Sequence, residues 1–549
     1  MNLFISSLSK LTNLNHLVLN LANQHVQENS IRYVSELIQS LQKLETLTFE
    51  SSNTDISAIE FNYLLSSIGN HSNISNLNFK AMNYSSSDEC LAVFKHLEQA
   101  KQLKYLNFLI NNNFKMYSGV FIYQEYKKIN INLKNFLVDE NEIQSLSLFI
   151  QNMNQLESFY YESDKSNLTS KQLSFLFSSF QDLSKIQNVE FKISETNSLQ
   201  EEYLLLFKYL GQNNQLKNLK FFLNSGIYNN NNSYANIEYE QNESQFFLGL
   251  IDIQIDENNA QYLSLFIKRL KDLQKLRINL NNCVIQSSQL NTLFNFFQDH
   301  QSINQLNLKL SNQKVTSEQL QAIIQSLKQS QTLKQLELEL SKTQLEKQVN
   351  EVLSDQLSQL KNIISLKHMV LFDNIDISTS FIDNIVKNES LQELYILFYH
   401  LEQDGDYQLK TQKLLSMPSL KKLMLHFLLS NGREIEFFKD LNCIKQTNLQ
   451  QLTIVLQNYT ENEFQREQYT NLGKYLSNQK LIKSIIIKIN ENDDFESCVL
   501  LLNELKSSNM TSFKFEFLSS NMLRYINRLD ILHLYLKRKM KRVVNLEFS

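Results

Sequence analysis

Hydrophobic positions in this chain follow one short pattern many times over. The string LTNLNHLVLNL at residues 11–21 recurs as KDLQKLRINL ending at Leu280, QSINQLNLKL at Leu310, QTLKQLELEL at Leu340, PSLKKLMLHF at Phe427 and TNLQQLTIVL at Leu456. The shared core is L-x-x-L-x-L-x-L. Its second half alternates apolar and polar residues with period two, which predicts a half-buried strand too short to stand alone. Taking the first apolar residue of each copy as an anchor gives Leu14, Leu44, Ile74, Leu103, Leu133, Leu156, Ile186, Leu216, Leu250, Leu273, Ile303, Leu333, Leu366, Leu391, Leu420, Leu449, Ile482, Met510 and Val543. Most steps between these nineteen anchors are 29 or 30 residues; 133 to 156 and 250 to 273 are 23, and 366 to 391 is 25.

A helical period lies between the strands. Thr316 and Gln319 have capping-box spacing, and Leu320, Ile323, Ile324 and Leu327 then share one helical face. The same start occurs at Thr169–Gln172 and Gln286–Gln289, and in all three cases the next anchor follows thirteen residues after the first helical leucine. Each unit is therefore strand, loop, helix, loop. Strands joined by a helix on one side run parallel, and units that cannot bury their own apolar faces must stack. The helices are wider than the strands, so the stack curves with the strands inside. A longer period also exists: Val138–Asn141 with Leu146–Ile150 resembles Ile255–Asn258 with Leu263–Ile267, an offset of 117 residues that implies a duplicated block of four repeats.

These residues resemble the leucine-rich-repeat family, and the unit of about 29 residues looks like its ribonuclease-inhibitor-type subclass. The resemblance covers essentially the whole chain. It implies an α/β solenoid, a curved horseshoe with a parallel sheet of about nineteen strands on the concave face and helices on the convex face. The family places Asn or Cys in the turn after each strand. Eight residues after an anchor, Asn111, Asn281 and Asn374 match, whereas Ala22, Ser52, Met82 and Leu428 do not. The Cys-rich repeats of ribonuclease inhibitors are absent, so that activity is not carried over. The resemblance implies a protein-interaction scaffold.

Composition agrees with a scaffold. The 549 residues hold one Pro and eight Gly, far below the usual share. Gly-rich phosphate loops are thereby excluded, as are G-x-x-x-x-G-K-[ST] and G-x-G-x-x-G motifs. A net charge of −4 gives no sign of nucleic-acid binding. Cys90, Cys283, Cys443 and Cys498 form no CxxC pair, so reduced thiols in a cytoplasmic protein are expected. The N-terminus lacks an unbroken apolar core, so no signal peptide is read there, and no stretch of 18 apolar residues predicts a transmembrane segment. No enzyme motif, cofactor site or metal site is evident. The expectation is a protein without catalysis.

Residues two, four and six after each anchor point away from the core. In the middle of the chain they are mostly polar, with Tyr160 and Phe222 among them, and their charge changes sign from Lys275 and Arg277 to Glu337 and Glu339. Later repeats place His368, Val370, Phe372, Glu393, Tyr395, Leu397, Lys422, Met424, His426, Gln451, Thr453 and Val455 there. Of these, Phe372, Tyr395, Leu397, Met424, His426 and Val455 are the candidate partner-binding residues, since exposed aromatic and Met clusters mark partner sites. The alternatives are that a C-terminal loop or the turn at Asp404 covers the patch, or that the strand register differs. His368 and His426 are two strands apart, roughly 10 Å, too far to share a metal.

The domain plan is a solenoid over 1–521 and a C-terminal segment over 522–549, holding a capping helix and a last strand. Its Arg524, Arg528, Lys537, Arg538, Lys539, Lys541 and Arg542 are a solvated cap or a site for acidic partners or anionic lipid. Asn229–Asn232 reads as a loop insertion, and Gly405 as a turn. The expected function is a non-catalytic scaffold taking a protein or peptide on the concave sheet. The alternative is a regulatory or adaptor subunit of an enzyme: a GTPase or kinase regulator, or a substrate adaptor of a ubiquitin ligase. Partner identity and oligomeric state are not readable from the sequence.

Overall fold

The computed structural model describes residues 10–22, 28–52, 58–82, 96, 105–112, 117–124, 128–134, 140–153, 155–164, 168–194, 204–211, 213, 215–224, 234–311, 315–340, 347–369, 377–398, 412–427, 448–456, 466–477, 482–489, 500–501, 503–505, 512–517 and 545–548. The chain divides into two compact units, Met1–Leu273 with Cys283–Ile285, and Gln274–Asn282 with Gln286–Ser549.

The first unit holds strands β1 (His16–Asn20), β2 (Thr46–Ser52), β3 (Asn76–Met82), β4 (Tyr105–Asn112), β5 (Tyr117–Gln124), β6 (Lys128–Lys134), β7 (Ser158–Asp164), β8 (Asn188–Ser194), β9 (Asn218–Asn224), β10 (Tyr234–Glu240) and β11 (Gln245–Ile251). Its helices are α1 (Glu28–Ser40), α2 (Ala58–Gly69), α3 (Glu140–Gln151), α4 (Ser170–Ser178), α5 (Leu205–Leu210) and α6 (Glu257–Arg269). Strands β1 to β4 pair in parallel, as do β6 to β9. Between and after these ladders the direction reverses: β5 is antiparallel to both β4 and β6, and β10 to both β9 and β11.

The second unit holds β12 (Lys275–Asn279), β13 (Gln305–Lys309), β14 (Gln335–Glu339), β15 (Ser365–Met369), β16 (Glu393–Phe398), β17 (Lys422–Phe427), β18 (Gln451–Leu456), β19 (Ser484–Ile489), β20 (Ser512–Phe517) and β21 (Asn545–Phe548), each parallel to the next. Its helices are α7 (Ser287–Phe294), α8 (Ser317–Gln329), α9 (Lys347–Ser358), α10 (Ile377–Ile385) and α11 (Arg466–Ser477). The architecture is thus mixed α/β, with repeated strand–helix units and a mostly parallel sheet.

The expected count of nineteen strands needs correction. Seventeen are described with their side chains, and β4, β5, β20 and β21 are described mainly as backbone. The strands without an anchor are β5 and β10. Each takes the place of a crossover helix, and each belongs to one copy of the 117-residue duplication: β5 and β10, β6 and β11, and α3 and α6 all start 117 residues apart. Two antiparallel insertions are therefore what the duplicated block carries.

Three anchors were misplaced, and these same three produced the short steps. Register sets Lys128 opposite Ser158, and Ser365 opposite Gln335 and Glu393, so the step after β6 is 30 residues and those on either side of β15 are 30 and 28. The Lys334 carbonyl accepts from the Ile364 and Ser365 amides, and the Ile364 carbonyl from Gln392 and Glu393. The same bifurcated bond recurs at Gln392 and Lys421, which makes Ile363, not Leu366, the anchor of β15. Strand β11 likewise starts at Gln245, ahead of Leu250. In each case an apolar residue inside the strand stood in for the residue two positions before that strand.

Inward positions form the core. In the first unit it is aromatic: Phe159, Phe180 and Phe191 meet with centroids 4.9–5.7 Å apart, and Phe49 stacks on Phe79 at 5.0 Å. In the second it is aliphatic, with Leu306, Leu308, Leu336, Leu338, Leu366, Leu394, Ile396, Leu423 and Leu425 all buried. The capping boxes occur as expected. The Thr316 amide donates to Gln319 Oε1 (2.8 Å) and the Gln319 amide to Thr316 Oγ1 (3.3 Å), and Thr169 with Gln172 does the same at 2.7 and 3.3 Å. Such reciprocal pairs satisfy two of the orphan amides of a helix start.

Few glycines are needed because polar side chains hold the loops. Three residues before an anchor, Asn213 Nδ2 donates to the Leu183 carbonyl (2.8 Å) and its Oδ1 accepts from the Gln215 amide (2.7 Å). Asn388 repeats this with Leu360 and Ser390. His71 is their imidazole counterpart, with Nε2 3.0 Å from the Leu41 carbonyl and Nδ1 accepting from the Asn73 amide. Burial holds the His71 pKa below its ordinary value despite that carbonyl contact. Asn281, matched to the family turn position, accepts from the Ser311 amide at 2.8 Å. One glycine serves close approach instead: a Cβ on Gly473 of α11 would lie 2.6 Å from the Leu501 carbonyl. Cys283 is buried, donates to the Leu250 carbonyl, and has its pKa pushed up to about 12 by burial. No helix among the described residues is long and apolar enough to cross a membrane.

The expected capping helix over 522–540, the Asn229–Asn232 insertion and the Gly405 turn lie outside the described residues.

Candidate partner-binding surface

Strands place the outward side chains in rows, one per strand, because register is conserved from strand to strand. In the first unit, Lys128, Ser158, Asn188 and Asn218 make the first row. Asn188 Nδ2 donates to Ser158 Oγ (2.9 Å), and Asn218 Nδ2 to Asn188 Oδ1 (2.6 Å). Asn130, Tyr160, Glu190 and Lys220 make the second, and Glu162, Lys192, Phe222 and Asn236 lie beyond them. The first two rows line a groove of about 510 Å³.

Charges in this groove are largely paired within it. Lys192 Nζ lies 2.9 Å from Glu190 Oε1 and 5.2 Å from the Tyr160 ring centroid, and Lys220 lies 3.6 Å from Glu240. The Tyr160 hydroxyl donates to Glu162 Oε2 at 2.7 Å. Burial and that carboxylate push the Tyr160 pKa up, while the hydrogen bond to Glu190 raises that of Lys192. Phe222 stands open, 38% exposed.

In the second unit the rows run from polar to apolar. The expected change of charge sign is bridged: Lys309 pairs with Glu339 at 2.8 Å and Lys367 pairs with Glu337. Lys367 also sits over the Tyr395 ring, 5.3 Å from its centroid. Across the sheet, the Tyr395 hydroxyl and His426 Nδ1 are 2.8 Å apart. Burial, with the Glu337 and Glu339 carboxylates, pushes the Tyr395 pKa far above the phenol range. The phenol therefore stays protonated, and it donates to Nδ1 when His426 carries its proton on Nε2.

The six candidate residues part company here. Tyr395, Met424 and His426 are half-buried neighbours on β16 and β17. Leu397 is 3% exposed and Val455 2%, so the expected open patch fails at both. Thr453 is buried too, so both faces of β18 are covered. Phe372 lies outside the described residues, and with Ile363 as anchor it is no longer an outward position of β15. His368 was likewise expected outward, but it takes the register of the inward Leu338 and Ile396. Lys367, which does belong to the cluster, was missed. The signal that finds it is the constant step of 30 from Leu333. Among the described residues no group of three or more His, Cys, Asp or Glu side chains is placed to hold a metal ion.

No protein-family model matches this chain, and no curated protein matches it either.

Proposed function

We propose that this chain is a leucine-rich-repeat solenoid of the ribonuclease-inhibitor-like type. It acts without catalysis, as a cytoplasmic scaffold that takes a protein or peptide on the outward, concave face of its sheet. One observation carries the reading: the outward rows of β7 to β9 form an open groove most of whose polar groups are held by one another, with the Phe222 ring left exposed beside them. A surface with satisfied polar groups and an exposed aromatic anchor suits a partner with an apolar side chain flanked by backbone amides. Tyr395, Met424 and His426 are a second contact in the other unit. The buried thiol of Cys283 fits a reducing compartment.

A selection of peptides from a random displayed library, followed by anisotropy titration, tests this. Selected peptides should bind the Tyr160→Ala, Phe222→Ala double variant at least about tenfold more weakly. Ile59→Ala, on the exposed side of α2, should leave affinity unchanged. Equal binding to wild type and double variant, or no enrichment at all, overturns the reading.

A further inference from the structure

The antiparallel strand β10 leaves a gap in the helical layer. Where an ordinary repeat would seat its own helix, α5 and α6 close over the strand, with Phe207 and Phe266 edge-on at 5.0 Å. Past the C-terminal ends of these two helices, a cavity of about 290 Å³ remains. That is at the small end of ligand sites.

Leu210, Leu216, Phe266 and Leu270 give it an apolar side, and Asn213, Gln241, Arg269, Lys271 and Asp272 a polar one with charges of both signs. Tyr239 reaches it from β10 and is 5% exposed, yet its hydroxyl has no hydrogen-bond partner among the described residues. Arg269 and Asp272 stand at the rim, and neither has an ion-pair partner among the described residues. The Asp272 carboxylate acts on Tyr239, whose pKa is raised by burial first and by that charge second.

The internal duplication supplies a comparison. At 117 residues' distance, Tyr239, Arg269 and Asp272 correspond to Ile122, Asn152 and Gln155. The helix cores in between agree closely, since Leu146–Ile150 and Leu263–Ile267 have the same sequence. The second copy thus carries a hydroxyl, two cations (Arg269 and Lys271, the latter opposite Asn154) and an anion around a gap that both copies share in topology.

We propose that this cavity binds a free apolar α-amino acid. The Arg269 guanidinium takes the carboxylate, Asp272 takes the ammonium, and the side formed by Leu210, Leu216, Phe266 and Leu270 takes the side chain, with the Tyr239 hydroxyl hydrogen-bonding the carboxylate. A simple carboxylate leaves Asp272 facing it, and an amine leaves Arg269; only a zwitterion answers both. This site is separate from the outward face of the sheet and does not depend on the scaffold reading.

Calorimetric titration of the full chain with L-leucine and L-phenylalanine tests it, alongside leucinamide and N-acetyl-leucine. Saturable binding of at least one amino acid is expected, at least about tenfold weakened in both Arg269→Gln and Asp272→Asn. Both residues are exposed, so the variants should fold, which unchanged thermal midpoints verify. Leucinamide should lose affinity in the wild type yet be insensitive to Arg269→Gln, and N-acetyl-leucine insensitive to Asp272→Asn. No heat with either amino acid up to millimolar concentration overturns the proposal. So does N-acetyl-leucine binding as tightly as leucine.

Discussion

The outward faces of β7–β9 and β16–β18 are written in the same alternating pattern and end in opposite states. On the first, every outward side chain described is half-buried or exposed, and Phe222 is open. On the second, Leu397, Thr453 and Val455 are as buried as core residues, and access is kept by the first row, Glu393, Lys422 and Gln451, and in part by Tyr395, Met424 and His426. Alternation determines which way a side chain points. It does not determine whether that side faces water. The composition of the outward rows carries some of the difference: Ser, Asn, Glu and Lys on the first face tolerate solvent, while Leu, Val and Thr on the second gain from being covered.

The largest effect that would separate the two faces comes from truncation. Leu397→Ala should cost about 2–5 kcal/mol in denaturant unfolding, whereas Phe222→Ala should stay within about 0.5 kcal/mol. A small cost at Leu397 would show that its cover is not part of the folded core. Next in size is Tyr395→Phe, which removes the bond to His426 and should cost about 1 kcal/mol. Tyr160→Phe on the open face should cost less than half as much, because its Glu162 partner can turn to water.

A pH series adds a smaller effect in the loop that leads into β3. His71 has its folded pKa lowered, so the unfolded chain takes up a proton first as pH falls below about 6.5. Its contribution is therefore fully present above that pH and declines as pH drops toward the lowered folded value. His71→Asn should keep both loop bonds, as Asn213 and Asn388 do. It should also flatten the dependence of the unfolding midpoint on pH over that window. An unchanged slope in the variant would remove His71 from the account.

Much of the fold was legible because its signals are local. Capping boxes at Thr169 and Thr316 depend on two side chains three residues apart, and the sequence shows both. Sixteen of the nineteen anchors lead into a strand two residues on, as at Leu333 and Gln335. The failures share one cause. At Leu133, Leu250 and Leu366 an inward residue inside the strand imitated an anchor, and only the pairing of Lys128 with Ser158 and of Ser365 with Gln335 exposes the first and last of these slips. A one-residue shift inverts a strand's faces. The three-residue slip at Leu366 therefore moved Phe372 and His368 onto the candidate surface and took Lys367 off it.

The sequence by itself determined the repeat, the strand–helix alternation, the caps and the 117-residue duplication. Each of these rests on periodicity or on contacts between near neighbours. Only the tertiary structure decided that β5 and β10 run antiparallel, that Leu397 and Val455 are buried, and that Lys367, Tyr395 and His426 come together. Those facts depend on which strand lies beside which, and on what lies above the sheet. They join residues about thirty positions apart, a distance at which alternation along one strand carries no information.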